Sequence, residues 1–232
     1  MPRFVLRLAL LLYHAAPVQA AETVDVALVL VDDVSGSINE DEFDTQKRGY
    51  HAALTDAKVL AAIQGGAAGQ IAIAYVEFAS DFQVRTVLPW AIIKDGASAR
   101  AFADAMRAAP RSFRGRTAIG AGLDEAMRLL ATPPLPADRK VIDVCGDGTN
   151  NLGRPVTEAR DAAAEQGVII NGLALANESA TPWLQAHTHP PGGLGNYYRD
   201  NVATGAGSFV IEISTYDSFA EAIKRKLLQE IS

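Results

Sequence analysis

Apolar residues in this chain fall into short continuous runs, separated by stretches in which they recur every three or four positions. The first run, Val26 to Val31, is unbroken and rich in Val and Leu, a pattern a strand needs only when both of its faces are covered by helices. Similar runs at Gln70 to Ser80, Lys140 to Cys145, Val168 to Leu175 and Ser208 to Ser214 predict further buried strands. Between them, helical spacing predicts helices over Asn39 to about Gln64, Ala97 to Ala109, a stretch after Thr117 carrying Leu123, Met127 and Leu130, Arg154 to Gln166, and Tyr216 to about Ile231. Asn39 suits an N-cap, and Glu40, Asp41 and Glu42 complement the positive end of the first helix. Phe82 to Pro89 follows the second strand after a connection too short for a crossover helix, so these two strands should pair antiparallel. The βα alternation predicts an α/β fold: a three-layer, doubly wound, Rossmann-like sandwich with a mostly parallel sheet and one antiparallel edge strand.

One domain, residues 24–231, accounts for this whole series, because no repeat, low-complexity tract or linker interrupts it. Ahead of it, Met1 to Ala20 carries Arg3 and Arg7, an apolar stretch and a terminal Val18-Gln19-Ala20, the sections of a secretory signal peptide. That predicts a periplasmic or secreted protein. No other apolar run approaches the ~20 residues a membrane span requires. The formal net charge of -6 and the lack of a basic patch argue against nucleic acid as a partner. The only cysteine, Cys145, precludes an intramolecular disulfide and reads as an inert core residue.

The chemistry gathers where the first apolar run stops. Asp32, Asp33, Ser35 and Ser37 follow Val31 directly, with Gly36 permitting a tight turn. In open α/β sheets ligands bind at the carboxyl ends of the strands, and oxygen donors without Cys or His suit Mg²⁺, Mn²⁺ or Ca²⁺ better than Zn²⁺. The spacing Asp33-x-Ser35-x-Ser37 resembles the metal-ion-dependent adhesion site (MIDAS) of von Willebrand factor A domains. That family also has a loop threonine and a later aspartate. Thr117, in Thr117-Ala118-Ile119-Gly120, and Asp147, in Gly146-Asp147-Gly148, stand in the matching order. Taken alone, Thr117 reads as a helix cap, and Asp147 fits a turn residue bonded to its own backbone; the ligand reading comes with the resemblance. The family more often has Ser where Gly146 stands. The wording DVSGS, GDGTNN and YYRDNV is similar to that of a bacterial family of exported A-domain-like proteins of unknown function.

The resemblance implies that Asp33, Ser35, Ser37, Thr117 and Asp147 hold a divalent cation, Mg²⁺ or else Mn²⁺ or Ca²⁺. It further implies that the protein binds a partner protein through an acidic side chain and catalyses nothing. A metal-dependent hydrolase using His187 or His189 is the alternative. His187-x-His189 stands beside Pro190-Pro191-Gly192-Gly193, however, within the irregular stretch Ala176 to Gly207, and reads as an exposed loop. That stretch leaves the carboxyl end of a strand, so it should rise on the metal side and shape partner choice. Asp32 stands where an apolar residue is expected, and strand alternation points it away from Asp33, so it needs a buried partner or a raised pKa.

Overall fold

The computed structural model describes residues 22–176 and 185–232. The proposed signal, Met1 to Ala20, lies outside them. Six strands form one sheet in the order β3-β2-β1-β4-β5-β6: β1 (Val24–Asp33), β2 (Ile71–Phe78), β3 (Val84–Ile93), β4 (Ala137–Gly146), β5 (Ile169–Leu175) and β6 (Val210–Ile213). All pairings are parallel except that of β2 with the edge strand β3. The expected α/β class, parallel core and antiparallel edge are therefore all present.

Every residue of β1 is buried, because helices cover both of its faces. Val26, Leu28 and Leu30 face a layer made by α1 (Glu40–Leu54), α2 (Ala57–Gly65), α3 (Gly96–Ala108) and α8 (Phe219–Ile231), where they meet Tyr50, Phe102, Ile223 and Leu227. Ala27, Val29 and Val31 face α4 (Ile119–Leu130), α5 (Val156–Glu165) and α7 (Leu194–Asn201), through Leu123, Ala159 and Tyr198. Truncating a central side chain such as Leu28 to Ala should cost about 2–5 kcal/mol.

Two expectations are corrected. The single long helix after Asn39 is broken at Thr55–Asp56 into α1 and α2. The Asp56 side chain accepts from the Lys58 N–H at 2.8 Å, and this new N-cap competes with continuation of α1. The stretch from Ala176 to Gly207 is also less irregular than expected. Its described part holds a short turn of helix, α6 (Gln185–Thr188), and then α7, whose Leu194 and Tyr198, with Val202 that caps it, belong to the core.

The sheet's first-layer face also carries charge. Asp32 does point away from Asp33, and both of the outcomes expected for it occur. Tyr75 donates its hydroxyl to Asp32 Oδ2 at 3.1 Å, and burial pushes the Asp32 pKa up to about 7 although Lys47 lies close enough to oppose it. Lys47 Nζ lies 2.9 Å from Glu77 Oε1, and Glu77 Oε2 accepts from the Ser112 N–H at 2.8 Å. A second buried group joins Lys226 to Asp143 (2.7 Å) and Glu230 (2.6 Å).

Candidate metal centre

Parallel pairing of β1 with β2 and β4 brings their carboxyl ends level, with Asp33 opposite Phe78 and Asp32 opposite Cys145. The loops that follow these strands therefore open on the same edge. Asp33 ends β1, Ser35 and Ser37 lie in the turn after it, and Asp147 comes directly after β4. Thr117 reaches this edge from the segment before α4, which is held by the Ala118 N–H donating to Ala79 O after β2, at 2.8 Å, and by the Gly36 N–H donating to Gly115 O, also at 2.8 Å.

All five residues singled out from the sequence are brought together. Asp33 Oδ1 accepts from the Ser35 N–H at 2.7 Å, which folds the serine back over the strand end. Thr117 donates its hydroxyl to Ser35 Oγ at 3.0 Å, the Ser35 and Ser37 hydroxyls are 3.1 Å apart, and Ser37 donates to Asp147 Oδ1 at 2.6 Å. Thr117 is no helix cap: α4 begins after Ala118 without a side-chain cap. Asp147 bonds across to the β1 loop as well as to its own backbone.

The electrostatics concentrate unrelieved negative potential at this edge. Asp33 and Asp147 are almost wholly inaccessible, and Asp33 Oδ2 has no hydrogen-bond partner among the described residues. Burial pushes Asp33 up to about 7 against the pull of the Ser35 N–H, and Asp147 up to about 8 with the help of the neighbouring Asp33 charge. Two carboxylates are thus held close in a low-dielectric setting, where a divalent cation would relieve both. The spacing of the hydroxyls fits as well. Octahedral Mg²⁺ with oxygens at about 2.1 Å sets adjacent donors about 3.0 Å apart, and the Thr117–Ser35 and Ser35–Ser37 separations are 3.0 and 3.1 Å. Among the described residues no three His, Cys, Asp or Glu side chains converge on a metal position, so the hydroxyls are needed to complete any shell.

Two participants escaped the sequence reading, and a third was placed wrongly by it. Arg111 spreads its guanidinium over the backbone of the β1 loop, donating to the carbonyls of Val34 (2.6 Å), Ser35 (2.5 Å) and Ile38 (2.9 Å). It fixes the loop from outside, and nothing in its sequence context sets it apart from a surface arginine. Tyr198, in α7, has a buried hydroxyl without a partner among the described residues. A β-carbon added to Gly146 would come within 2.6 Å of that hydroxyl and 3.0 Å of Asp33 Oδ2. The absence of Ser at 146 thus has a structural counterpart, since the tyrosine fills the space. The third is His187. Contrary to the exposed-loop expectation, its ring is half-buried with Nε2 3.1 Å from Thr117 Oγ1 and Nδ1 3.0 Å from Thr149 Oγ1. Burial, aided by the Arg116 charge, lowers its pKa. His189 is parted from it, bonded to Thr188 Oγ1 at 2.9 Å and lining another cleft with Glu212 and Leu194. Trp183 lies outside the described residues.

Above the hydroxyls is a cleft of about 290 Å³ lined by Ser35, Gly36, Ser37, Arg116, Thr117 and His187. A model of the DUF1194 family, described as a protein of unknown function, matches residues 23–232. The chain belongs to that family. No curated protein matches it significantly. Among solved structures it is similar to proximal thread matrix protein 1 from the mussel byssus, at 16% identity and a TM-score of 0.65, over 90% of this chain and 49% of that one. This chain therefore spans about half the length of the mussel protein, another crystal of which has a zinc-occupied MIDAS motif (19% identity, TM-score 0.60, 89% and 45% covered). It is also similar to the conserved hypothetical protein BatB from Bacteroides thetaiotaomicron (22%, TM-score 0.58, 88% and 98% covered) and to a von Willebrand factor type A protein from Catenulispora acidiphila (17%, TM-score 0.61, 90% and 43% covered). At these identities the likeness establishes the fold, which is that of the von Willebrand factor A domains.

Proposed function

We propose that this DUF1194 chain is an exported binding module. In this reading Asp33, Ser35, Ser37, Thr117 and Asp147 hold one divalent cation, and the partner is a protein that presents an acidic side chain to it. The observation that carries the reading is the convergence of three loops on a set of hydroxyls at octahedral spacing, backed by two buried carboxylates. A divalent cation held directly by the three neutral hydroxyls, with Asp33 and Asp147 acting through bound water, would keep positive potential at an open position, and that potential attracts a carboxylate. The protein's own part is to hold the donors in place. Arg111 fixes the β1 loop, the Ala79 carbonyl and the Asn151 side chain fix Thr117, and the cleft leaves the site reachable from one side. Arg116, exposed at the rim, adds to the attraction for an acidic partner.

Binding is favoured over hydrolysis by the surroundings of His187. Its ring nitrogens are engaged by Thr117, Thr149 and Asn151, groups of the chain itself, so neither is directed at the space a substrate would occupy. The reading is tested by calorimetry with Mg²⁺ and Mn²⁺ on the parent and on Thr117→Ala, followed by partner capture from envelope extract with and without chelator. One metal per chain, lost in Thr117→Ala, and capture that fails with chelator and with that variant are expected. Capture indifferent to both would refute metal bridging, and a metal-dependent esterase or phosphatase activity lost in His187→Ala would replace the reading with the hydrolase.

A further inference from the structure

We propose that His187 is a built-in ligand of this metal site: its Nε2 supplies a nitrogen donor from the chain itself, and the ring covers the position a partner's carboxylate would take. The proposal rests on the binding-module reading above and specifies both its metal preference and its resting state.

Four observations carry it. First, Nε2 lies 3.1 Å from Thr117 Oγ1, close to the 3.0 Å between Thr117 and Ser35, so the nitrogen stands beside a hydroxyl donor at the spacing of an octahedral edge, with Asp33 and Asp147 acting through water and not converging with it on one position. Second, the other nitrogen is held as metal-binding histidines require: Nδ1 lies 3.0 Å from Thr149 Oγ1, which can accept the Nδ1–H and leave the Nε2 lone pair facing the site. Third, the ring has a dedicated seat. A β-carbon on Gly148 would come within 2.1 Å of Nε2 and 2.4 Å of Cε1, so the imidazole lies flat against backbone that only glycine leaves bare. Fourth, the seat is tied to the strand end that bears Asp147, because the Thr149 N–H donates to the His187 carbonyl at 3.2 Å.

The hydrogen bonds around the ring favour the other tautomer. Asn151 Nδ2 is 3.2 Å from Nδ1, and its amide is oriented by its Oδ1, which accepts from the Thr117 N–H at 3.0 Å. With Nδ1 accepting, the proton sits on Nε2 and is donated to Thr117 Oγ1, which in turn donates to Ser35 Oγ. Coordination through Nε2 therefore requires the ring proton to move to Nδ1, where Thr149 accepts it. No net proton is gained or lost by the ring.

The consequence is chemical selectivity. Hydroxyls and carboxylates alone suit Mg²⁺ and Ca²⁺, whereas an imidazole nitrogen adds affinity for Zn²⁺, with Mn²⁺ between. An acidic partner must then displace the ring to reach the cation.

The test is calorimetry with Zn²⁺ and Mg²⁺ alone on the parent, His187→Ala, Gly148→Ala, His189→Ala and Thr117→Ala. Gly148→Ala keeps the imidazole but removes its seat, and so guards against an effect of mere truncation. Zn²⁺ affinity is expected to fall about tenfold or more in both His187→Ala and Gly148→Ala, while Mg²⁺ affinity stays within about threefold and His189→Ala changes neither. Long-range nitrogen NMR should show the His187 Nε2 resonance shift on Zn²⁺ addition, and its tautomer change, with His189 unaffected. Zn²⁺ binding lost in Thr117→Ala but undiminished in His187→Ala would overturn the His187 proposal and leave the metal site standing. Failure of the parent to bind either metal would overturn both.

Discussion

Replacing Asp33 by Asn should stabilise the metal-free protein and abolish the stability that metal adds to the parent. Asp33 is wholly buried, its Oδ2 is unpartnered among the described residues, and a second buried carboxylate, Asp147, raises the cost of its charge. Asn keeps the shape and the Oδ1 that accepts from the Ser35 N–H at 2.7 Å, but carries no charge. Asn puts an uncharged Nδ2 where Oδ2 stood, so what is relieved is the buried charge, a desolvation cost of about 1–3 kcal/mol, and above the raised Asp33 pKa of about 7 the metal-free variant should be more stable than the parent by that order. With metal at about a hundred times its dissociation constant, the parent gains about 2.7 kcal/mol. At about 2–4 °C per kcal/mol for a domain of this size, that gain is a rise of about 5–11 °C in Tm. The variant should gain little or nothing. The assay is thermal unfolding followed by circular dichroism, in chelator and then across a Mg²⁺ series. A metal-free variant clearly less stable than the parent would show that Asp33 carries structural weight the geometry does not display, and an equal metal-induced rise in both proteins would remove it from the site.

Three further outcomes follow from the same interior. Gly146→Ser should destabilise the fold by about 1–3 kcal/mol through overpacking against the Tyr198 hydroxyl, and adding Tyr198→Phe should restore most of that in urea unfolding; no rescue would mean that Asp33 is the obstacle. Arg111→Lys loses the planar fork on Val34, Ser35 and Ile38, so metal affinity by calorimetry should fall about tenfold or more with a Tm change of only a few degrees, and unchanged affinity would deny Arg111 its positioning role. Glu230, pushed up to about 8 first by burial and then by the Asp143 charge, keeps a proton in the folded state that the unfolded chain releases near its ordinary value of 4.5. Its contribution to stability is therefore present at low pH and declines as pH rises from about 4.5 through 8. Glu230→Gln, still able to accept from Asn171 and Lys226, should flatten that decline in urea unfolding across this range, and an unchanged slope would assign it to other groups.

Much of the fold and part of the site were already legible in the order of residues. The two-faced burial of β1 is written in Val26 to Val31, because period and polarity are local properties of a chain, and the hairpin of β2 with β3 follows from a connection too short to cross over. Asp33, Ser35 and Ser37 stand within five residues of one another, so their meeting required only a turn. Thr117 and Asp147 stood out only through a resemblance, since nothing local separates a cap or a turn residue from a ligand; the pairing of β1 with β2 and β4 is what brings their loops level with Ser35 and Ser37. Tertiary structure alone decided the rest. The Arg111 fork acts on carbonyls more than 70 positions earlier in the chain, and Tyr198 fills the space beside Gly146 from a helix that looked like irregular loop. His187 sits over Gly148 because α6 is held against the loop after β4, where the Thr149 N–H donates to the His187 carbonyl at 3.2 Å. These are contacts between side chains and backbone far apart in sequence, set by how the helices and returning segments pack on the sheet. Hydrophobic period carries the sheet's layout, but it holds no information about which polar atom ends beside which.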